Sequence, residues 1–503
     1  MLKRLQVILF LAIIVGALFL TQAYWEGWLV GWASIFFSLT AFFIGVVIFF
    51  ENRNPTRTLT WLIVLGVFPV LGFVFYLMFG QNYRKRKSFT KKAIMDEQAF
   101  YKIEGNRPLD EEQLGMMGGN QQKLFRLAHR LANNPISFQT DTRVLTDGKE
   151  TFAHIKRALN AAEDHIHMEY YIVRDDGLGR EIKDILMKKA KEGVEVRFLF
   201  DAVGCWKLPK GYINELREAG VEMVSFSPVR LPFFTNKINY RNHRKIIVVD
   251  TNYAFIGGLN IGDEYLGKSS YFGHWRDTHL MVRGEAVRSL QLIFLRDWYY
   301  ATGETALKPG YLSPSLPDTE HTGGVQMIAS GPDSRWEVIK KLFFTMITSA
   351  RKSIWIASPY FIPDEDMLSA IKIAALGGID VRILVPSRPD KRIVFHASRS
   401  YFPELLDAGV KIYEYHRGFM HSKIIIVDNE IASIGTANMD MRSFHLNFEV
   451  NAFLYKTRSV EALASDFIYD MEHSNVIRKD TFIRRSFFYK IIESTSRLLS
   501  PLL

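Results

Sequence analysis

Three long apolar runs, at residues 7–20, 28–50 and 61–79, open the chain before any amphipathic pattern begins. The second and third reach the roughly 20 apolar residues that cross a bilayer, whereas the first is shorter and fits a signal segment or a further span. We therefore predict two or three transmembrane anchor segments over residues 1–82, in a multi-pass protein of the cell membrane. A buried hairpin of core helices is the alternative, disfavoured because the runs carry no charge at helical spacing.

After these runs the chain changes to an alternation of helical and strand patterns. A basic linker is predicted over residues 83–125, followed by one half at 126–305 and another at 320–503. The predicted elements of the first half are helix 152–162, strand 165–173, helix 181–191, strand 194–200, helix 211–218 and strand 221–226. This order is typical of a mixed or parallel sheet covered by helices.

The second half repeats that order, which indicates an internal duplication. Its predicted elements are helix 336–347, strand 353–358, helix 367–375, strand 381–385, helix 404–407 and strand 410–415. The predicted fold class is therefore α/β, with two similar α/β halves packed together and preceded by N-terminal transmembrane helices. Only the first half has extra residues at 228–239, whose apolar stretch 231–234 either enters the bilayer surface or folds over the protein's own core.

Each half contains one motif in which five residue types recur at a constant separation of 178 positions. The first motif is His243, Lys245, Asp250, Gly257 and Asn260, and the second is His421, Lys423, Asp428, Gly435 and Asn438. Chance agreement at five specified residues has odds on the order of one in a million at ordinary composition. A lone histidine beside a lysine is commonly a surface or packed core residue, so the matched pair of motifs is what indicates function.

The motif residues suit a reaction at a phosphodiester. The β-branched run 246–249 predicts a buried strand, and residues two apart on a strand lie on one face about 7 Å apart. Two such strands could bring both histidine–lysine pairs to one pocket. The histidines could then act as nucleophile and proton carrier, while lysine and asparagine bind the non-bridging oxygens. Asp277 and Glu449 are candidate acceptors for the second ring nitrogen of a histidine.

The net charge and the cysteine content limit the kinds of binding partner and of metal site that the chain can have. The 503 residues carry a formal net charge of +10, which favours a polyanionic partner, either an anionic bilayer or nucleic acid. The single cysteine, Cys205, excludes an intrachain disulfide and a cysteine-built metal cluster. The basic cluster at 84–87 favours a cytoplasmic catalytic part, whereas Lys3 and Arg4 indicate the opposite side if there are three spans.

The two His-x-Lys-x4-Asp motifs, each followed by Gly and Asn, resemble the phospholipase D superfamily. Softer signals are similar to bacterial cardiolipin synthases within it. These are the runs Trp275-Arg276-Asp277-Thr278-His279-Leu280, Gly435-Thr436-Ala437-Asn438-Met439-Asp440-Met441-Arg442-Ser443 and Phe79-Gly80-Gln81. The resemblance covers essentially the whole chain. One difference between the motifs is Gly257-Gly258 against Gly435-Thr436, where both second residues are small enough for a close backbone approach.

This resemblance implies that two phosphatidylglycerol molecules give cardiolipin and glycerol through a covalent phosphohistidine, with no metal or other cofactor. It implies His243 as nucleophile and His421 as acid/base, although the symmetry of the sequence leaves that choice open. The other implied roles are phosphate binding by Lys245, Lys423, Asn260 and Asn438, orientation of the histidines by Asp277 and Glu449, and fixing of strand ends by the motif residues Asp250 and Asp428.

Two other classes of function fit the same motifs. A phospholipase D hydrolase, or a membrane-bound nuclease, would pass the same phosphohistidine to water. A membrane anchor disfavours the nuclease, so the expected partners are phosphatidylglycerol and anionic membrane lipids, with no nucleic acid. A non-catalytic lipid-binding scaffold is disfavoured because both motifs are complete. The sequence does not indicate an oligomeric state.

The C-terminal stretch 484–503 alternates basic residues with phenylalanine, isoleucine and leucine. This pattern predicts a basic amphipathic helix. Two placements are open, one on the membrane surface and one docked on the preceding domain.

Overall fold

The computed structural model describes residues 28–50, 55–68, 72–73, 75–76, 80, 92, 109–228, 239–316 and 323–502. The chain divides into two compact units, residues 1–85 with 231–236 and residues 86–230 with 237–503. The apolar run 7–20, the basic cluster 84–87 and the apolar stretch 231–234 all lie outside the described residues.

Two helices are described in the first unit, α1 (Trp28–Phe50) and α2 (Pro55–Val67). Helix α2 begins at a proline, which suits the first turn because a proline there removes no helical hydrogen bond. Trp61 and Tyr76 stack edge to face at 5.4 Å between ring centroids. Neither helix, nor any other in the described part of the chain, is long and apolar enough to cross a membrane.

The first sheet of the second unit has the strand order β1-β7-β6-β5-β2-β3-β4. Its strands are β1 (Thr140–Asp147), β2 (His165–Tyr170), β3 (Glu195–Asp201), β4 (Glu222–Phe226), β5 (Ile246–Val249), β6 (Tyr253–Gly257) and β7 (His274–Gly284). Strands β2, β3 and β4 are parallel, while β5 joins β2 in the antiparallel sense.

The second sheet has the order β18-β12-β11-β9-β14-β15-β17-β8, and β10 pairs separately with β16. These strands are β8 (Gly324–Ser330), β9 (Ser353–Ala357), β10 (Phe361–Ile362), β11 (Asp380–Pro386), β12 (Lys411–Tyr415), β13 (Gly418–Met420), β14 (Ile424–Val427), β15 (Ile431–Gly435), β16 (Met439–Asp440), β17 (Glu449–Tyr455) and β18 (Ser474–Val476). Apart from the added edge strand β18, the order and the strand directions repeat those of the first sheet. The predicted duplication is confirmed.

Helices pack on both faces of the sheets. They are α3 (Glu111–Gly115), α4 (Gly119–Ala132), α5 (Gly148–Asn160), α6 (Gly177–Lys191), α7 (Lys210–Glu218), α8 (Ala286–Thr302), α9 (Val338–Ser349), α10 (Glu365–Leu376), α11 (Arg392–Arg399), α12 (Phe402–Asp407), α13 (Met441–His445), α14 (Arg458–Glu472), α15 (Lys479–Ile483) and α16 (Phe487–Leu498). Helices α5, α6 and α10 begin after Asp147, Asp176 and Asp364, whose carboxylates accept backbone N–H groups of the first turn. Every predicted helix and strand of the two halves is present, with ends within four residues of the prediction.

Alternate residues of the central strands face opposite layers. Ile246 and Val248 of β5 share one apolar cluster with Ile424 and Ile426 of β14, between the two sheets. The intervening Ile247 packs in the cluster that also holds residues of helices α5 and α6. A strand that is buried on both faces requires a continuous apolar run, which explains the β-branched segments. The two α/β halves therefore pack together through their sheets, as predicted.

Helix α4 packs on the second half although it comes before the strands of the first sheet in sequence. Its Leu124 and Phe125 join the core that contains Ile339 and Leu342 of α9. The boundaries predicted for the linker and the halves stay predictions.

Candidate active site

The two motif histidines stand immediately before the central strands β5 and β14. These strands run antiparallel to β2 and β9, so the histidines lie near the carboxyl ends of β2 and β9. The ring of Tyr171, just after β2, lies 5.0 Å from the ring of His243. The ring of Tyr360, just after β9, lies 6.4 Å from the ring of His421.

The motif aspartates lie at the other ends of the same strands. Asp250 accepts backbone N–H groups of residues 163–165 at 2.9 Å, and Asp428 accepts those of residues 351–353 at 2.7–2.9 Å. Six residues lie between each aspartate and its histidine, which in extended chain is a distance of about 20 Å. These contacts fit the fixing of strand ends, which is the role that the family resemblance implies for both aspartates.

Each histidine takes its carboxylate from the opposite half. His243 Nδ1 lies 3.0 Å from both carboxylate oxygens of Glu449, and His421 Nδ1 lies 2.6 Å from Asp277 Oδ2. A carboxylate accepts, so the Nδ1–H group of each ring donates and Nε2 keeps its lone pair. The motif of one half is therefore completed only by the other half.

Backbone pairing between the halves produces this exchange. The N–H of His243 donates to the carbonyl of Phe448 at 2.9 Å, and the N–H of His421 donates to the carbonyl of Arg276 at 2.7 Å. In each case the carboxylate residue follows directly after the acceptor. Strand β13 joins the first sheet by pairing with the start of β7, where a Cβ at Gly418 would meet the carbonyl oxygen of His274 at 1.9 Å. Only glycine allows this approach.

Both motif lysines are buried beside their histidines. Lys245 Nζ donates to the carbonyl of His243 at 2.7 Å, and Lys423 Nζ donates to the carbonyl of His421 at 2.6 Å. Burial lowers the pKa of both ammonium groups, to about 8 for Lys423, while Glu449 and Asp277 oppose the shift. The site thus concentrates positive charge suited to a phosphate.

Burial also lowers the pKa of both histidines, and the neighbouring lysines lower it further. For His421 the value is about 4, although Asp277 opposes the shift. Both rings are therefore neutral at neutral pH in the site without substrate. A neutral imidazole has the free lone pair that a nucleophile or a general base needs.

The two orienting carboxylates differ in charge state. Burial raises the pKa of Glu449, and Lys245 only partly opposes this. Burial would also raise the pKa of Asp277, but Lys423 and His421 outweigh it and lower the pKa to about 2. Asp277 is therefore a full negative charge beside His421 at neutral pH, whereas Glu449 holds a proton more readily.

The two motif asparagines have different surroundings. The side-chain oxygen of Asn260 accepts the N–H of Ile172, and its amide donates to the hydroxyl of Tyr265, both at 3.2 Å. The side-chain oxygen of Asn438 is buried and has no hydrogen-bond partner among the described residues. The side chain of Asn438 is thus the less constrained of the two by protein contacts.

The residues that hold the two carboxylates were not predicted from the sequence. Thr436 Oγ1 donates to Glu449 at 2.5 Å, and Asn447 Nδ2 donates to it at 3.1 Å. At Asp277 the donors are the N–H of Thr278 at 2.8 Å and the indole of Trp275 at 3.4 Å. The sequence did contain one indication of these contacts. Gly258 and Thr436 occupy equivalent motif positions, and only Thr436 has a side chain that can donate a hydrogen bond.

Buried arginines also fix the segment before each central strand. Arg244 lies inside the first motif and donates to the backbone carbonyl of Glu449 at 3.1 Å and to the carboxylate of Asp297. Arg276 donates to Asp470 of the second half at 2.8 Å. Within the described ranges, no group of three or more His, Cys, Asp or Glu residues is arranged to hold a metal ion.

Comparison with known proteins gives one consistent result. The family described as "Cardiolipin synthase, PLD-like domain" matches residues 155–298 and 343–471, and "Phospholipase_D-nuclease N-terminal" matches residues 38–81. A cardiolipin synthase of Halalkalibacterium halodurans is 73% identical over 501 residues, and one of Alkalihalophilus pseudofirmus is 72% identical, each over 100% of both chains. The crystal structure of a phosphatidylserine synthase of Haemophilus influenzae covers 77% of this chain and 100% of its own, with a TM-score of 0.57 at 14% identity, and so shares its fold.

Proposed function

We propose that this chain, which belongs to the bacterial cardiolipin synthases of the phospholipase D superfamily, transfers a phosphatidyl group from one phosphatidylglycerol to another and releases glycerol. The observation that carries the proposal is the exchange of Glu449 and Asp277 between the halves, which makes two oriented histidines parts of one site. A phosphatidyl transfer needs one nucleophile and one proton carrier, and this pair supplies both.

In the first step, Nε2 of His243 attacks the phosphorus of phosphatidylglycerol and the bond from phosphorus to the glycerol oxygen breaks. His421, which takes up a proton at Nε2 as the anionic substrate enters, delivers that proton to the glycerol oxygen, so glycerol leaves and a phosphatidyl group stays on His243. The charged carboxylate of Asp277 supports this assignment, because it stabilises the imidazolium form that a proton donor requires. The anionic substrate adds further stabilisation when it enters.

In the second step, the hydroxyl of another phosphatidylglycerol gives its proton to His421 and attacks the same phosphorus. The nitrogen–phosphorus bond breaks, cardiolipin leaves, and both histidines return to their starting state. Lys245, Lys423 and the Asn438 amide bind the non-bridging oxygens, which carry the developing charge. Asn260 donates to the phosphate through the second N–H of its side-chain amide, because the first donates to the hydroxyl of Tyr265.

The test is a product assay on the full chain in phosphatidylglycerol vesicles that contain a metal chelator, followed by mass spectrometry of the lipids. Cardiolipin with an equal amount of glycerol supports the transferase and the absence of a metal requirement. Phosphatidic acid without cardiolipin would instead identify a hydrolase. Activity that returns only after a divalent metal is added would contradict the metal-independent mechanism.

We also propose that residues 1–82 anchor the enzyme in the membrane as a multi-pass segment. This goes beyond the described helices, none of which meets the requirements of a span. The support is that α1 has no charged residue and exposes large apolar side chains, among them Trp32, Phe36 and Phe42. Water around such a surface is unfavourable, and lipid hydrocarbon would remove it.

Extraction of membranes distinguishes a chain that spans the bilayer from one that is bound only to its surface. The full chain should stay in the membrane fraction after washes with high salt and alkaline carbonate, and should leave it only in detergent. Release by carbonate would show that the N-terminal segments do not span.

A further inference from the structure

The C-terminal helix α16 packs on the catalytic unit through its polar face. Glu493 is buried and accepts hydrogen bonds from Arg485 at 2.5 and 2.8 Å. Ser496 is also buried, and Arg497 donates to Glu404 of α12 at 2.9 Å. The helix lies beside α11, where Arg399 is 3.8 Å from Glu493. Ion pairs and hydrogen bonds therefore anchor it.

The opposite face of α16 is apolar and faces outward. Its large side chains are 40% to 80% exposed, and they are Phe487, Phe488, Ile491, Ile492, Leu498 and Leu499. Their spacing places them on one arc of the helix. A surface helix of a water-soluble domain shows the reverse orientation, with the apolar stripe against the core. Contiguous apolar surface of this kind marks an interaction site.

The charges around this face select the kind of partner. Between residues 484 and 502 the only acidic residue is Glu493, which is buried against the domain. Arg484 and Lys490 are exposed. The face therefore combines phenylalanine and leucine with cations and presents no accessible anion. A second copy of this chain would bring like charges together, whereas an anionic bilayer complements both features.

We propose that α16 is an interfacial helix that inserts its apolar face among the head groups of an anionic bilayer and holds the catalytic unit at that surface. This extends the proposed function, because an enzyme that acts on lipid head groups needs its site at their level. The inference also explains both placements that the sequence left open, since one face of the helix docks on the domain and the other lies on the membrane.

The first experiment measures the surroundings of α16 without turnover. In the full chain with Cys205→Ser, single Phe488→Cys and Leu498→Cys variants are labelled with an environment-sensitive fluorophore and reconstituted in phosphatidylglycerol–phosphatidylcholine vesicles. Met116→Cys is the matched control, because Met116 and Phe488 are both 76% exposed. We expect brominated lipid to quench the labels at 488 and 498 and aqueous iodide to quench the label at 116. Iodide quenching at all three positions would overturn the proposal. Energy transfer between α16 labels of different chains that persists in detergent would also overturn it, because it would show that the helix binds a second copy of this chain.

The second experiment links the helix to activity. Phe487→Ser with Phe488→Ser should reduce cardiolipin formation several-fold on vesicles but leave it unchanged in mixed detergent micelles, where substrate reaches the site directly. Met116→Ser should have no effect in either. Equal activity of the double variant on vesicles would overturn the inference and leave the proposed function standing. If the unmodified chain makes no cardiolipin, the proposed function fails, while the quenching measurement still decides the inference.

Discussion

At the scale of single residues, the two histidine sites differ although their motifs match. The shorter carboxylate, Asp277, stands against a glycine, since a Cβ at Gly258 would lie 2.0 Å from Asp277 Oδ1. The longer carboxylate, Glu449, stands against Thr436, whose hydroxyl binds it. Gly258 therefore leaves room for the Asp277 carboxylate, and Thr436 binds the Glu449 carboxylate. Small size alone does not explain the choice of residue at the two positions.

This fit predicts the effect of a single methyl group. Gly258→Ala should displace the Asp277 carboxylate and lower kcat by about 10- to 100-fold, the range usual for a residue that orients a reacting group. The protein should stay folded, as thermal denaturation in detergent would show. Gly115→Ala is the control, because no atom lies within 4 Å of a Cβ built there. Wild-type kcat in Gly258→Ala would refute the argument.

The buried lysines predict the pH dependence. The lowered pKa of His243 keeps the nucleophile neutral below pH 6.5, the usual pKa of histidine, and lower pH also favours the protonated His421 that the first step needs, so kcat/KM should not fall there. As pH rises, Lys245 and Lys423 lose their protons at a lower pH than ordinary lysines, at about 8 for Lys423. Positive charge on the phosphate site then disappears, and kcat/KM should decline from about pH 8.

Replacement of the Asp277 carboxylate tests whether deprotonation of Lys423 causes the alkaline decline in kcat/KM. Asp277 raises the pKa of Lys423, so Asp277→Asn should move the alkaline decline to lower pH, in addition to lowering kcat. The measurement is the pH profile of kcat/KM, which reports the free enzyme. An alkaline limb at the same pH in both proteins would show that Lys423 does not control it.

The sequence could predict the motif residues because duplication repeats them, but it could not predict their pairing. His243 and Glu449 are 206 positions apart, and His421 and Asp277 are 144 apart. Neither pair lies within one half. Contacts of this kind arise from the packing of the halves, which no local pattern reports.

At the scale of elements, each motif aspartate ends its strand at a tight turn. Asp250 and Thr251 have φ angles of 51° and 54°, and Asp428 and Asn429 have 56° and 54°. Two consecutive residues with positive φ are the mark of the type I′ turn that joins hairpin strands. Aspartate tolerates this conformation and its carboxylate also accepts three backbone N–H groups.

Loss of these carboxylates should reduce stability more than catalysis. Asp250→Ala or Asp428→Ala leaves backbone donors without an acceptor, so we expect a loss of about 1–3 kcal/mol in the free energy of unfolding. At temperatures well below the transition, kcat should stay within about twofold, because the site is some 20 Å away. Asp250→Asn keeps an acceptor and should lose less. A variant that keeps its stability but loses turnover would place the aspartate in the chemistry.

The elements that sequence patterns predicted are those with a continuous apolar run or a clear amphipathic period. Strand β7 was not predicted, and it contains Arg276, Asp277 and His279 in buried positions. Its polar residues serve the site and the contact between halves, so they interrupt the alternation that identifies a strand. Helix α11 was also not predicted, because its eight residues give only about two turns of the helical period.

At the scale of the whole molecule, duplication with exchange of carboxylates makes the halves interdependent. Helix α4 comes before the strands of the first sheet but packs on the second half, and strand β13 of the second half extends the first sheet. The sequence predicted two similar halves correctly. It did not show that they are interlocked, because a contact such as that of Asn242 with Phe448 joins residues far apart in sequence, which no local pattern reports.

This interdependence predicts the behaviour of variants that keep only one of the two motif histidines. His243→Ala and His421→Ala should each lower transfer by at least about 10³-fold, since each removes a group that the reaction uses directly. The two inactive chains reconstituted together in one vesicle should stay inactive, because both histidines and both carboxylates of a site come from one chain. Vesicles with equal amounts of wild-type and His243→Ala chains are the control and should keep half of the activity. Cardiolipin formation by the mixed inactive chains would mean that sites are built between two chains, and that the exchange of Glu449 and Asp277 takes place between molecules.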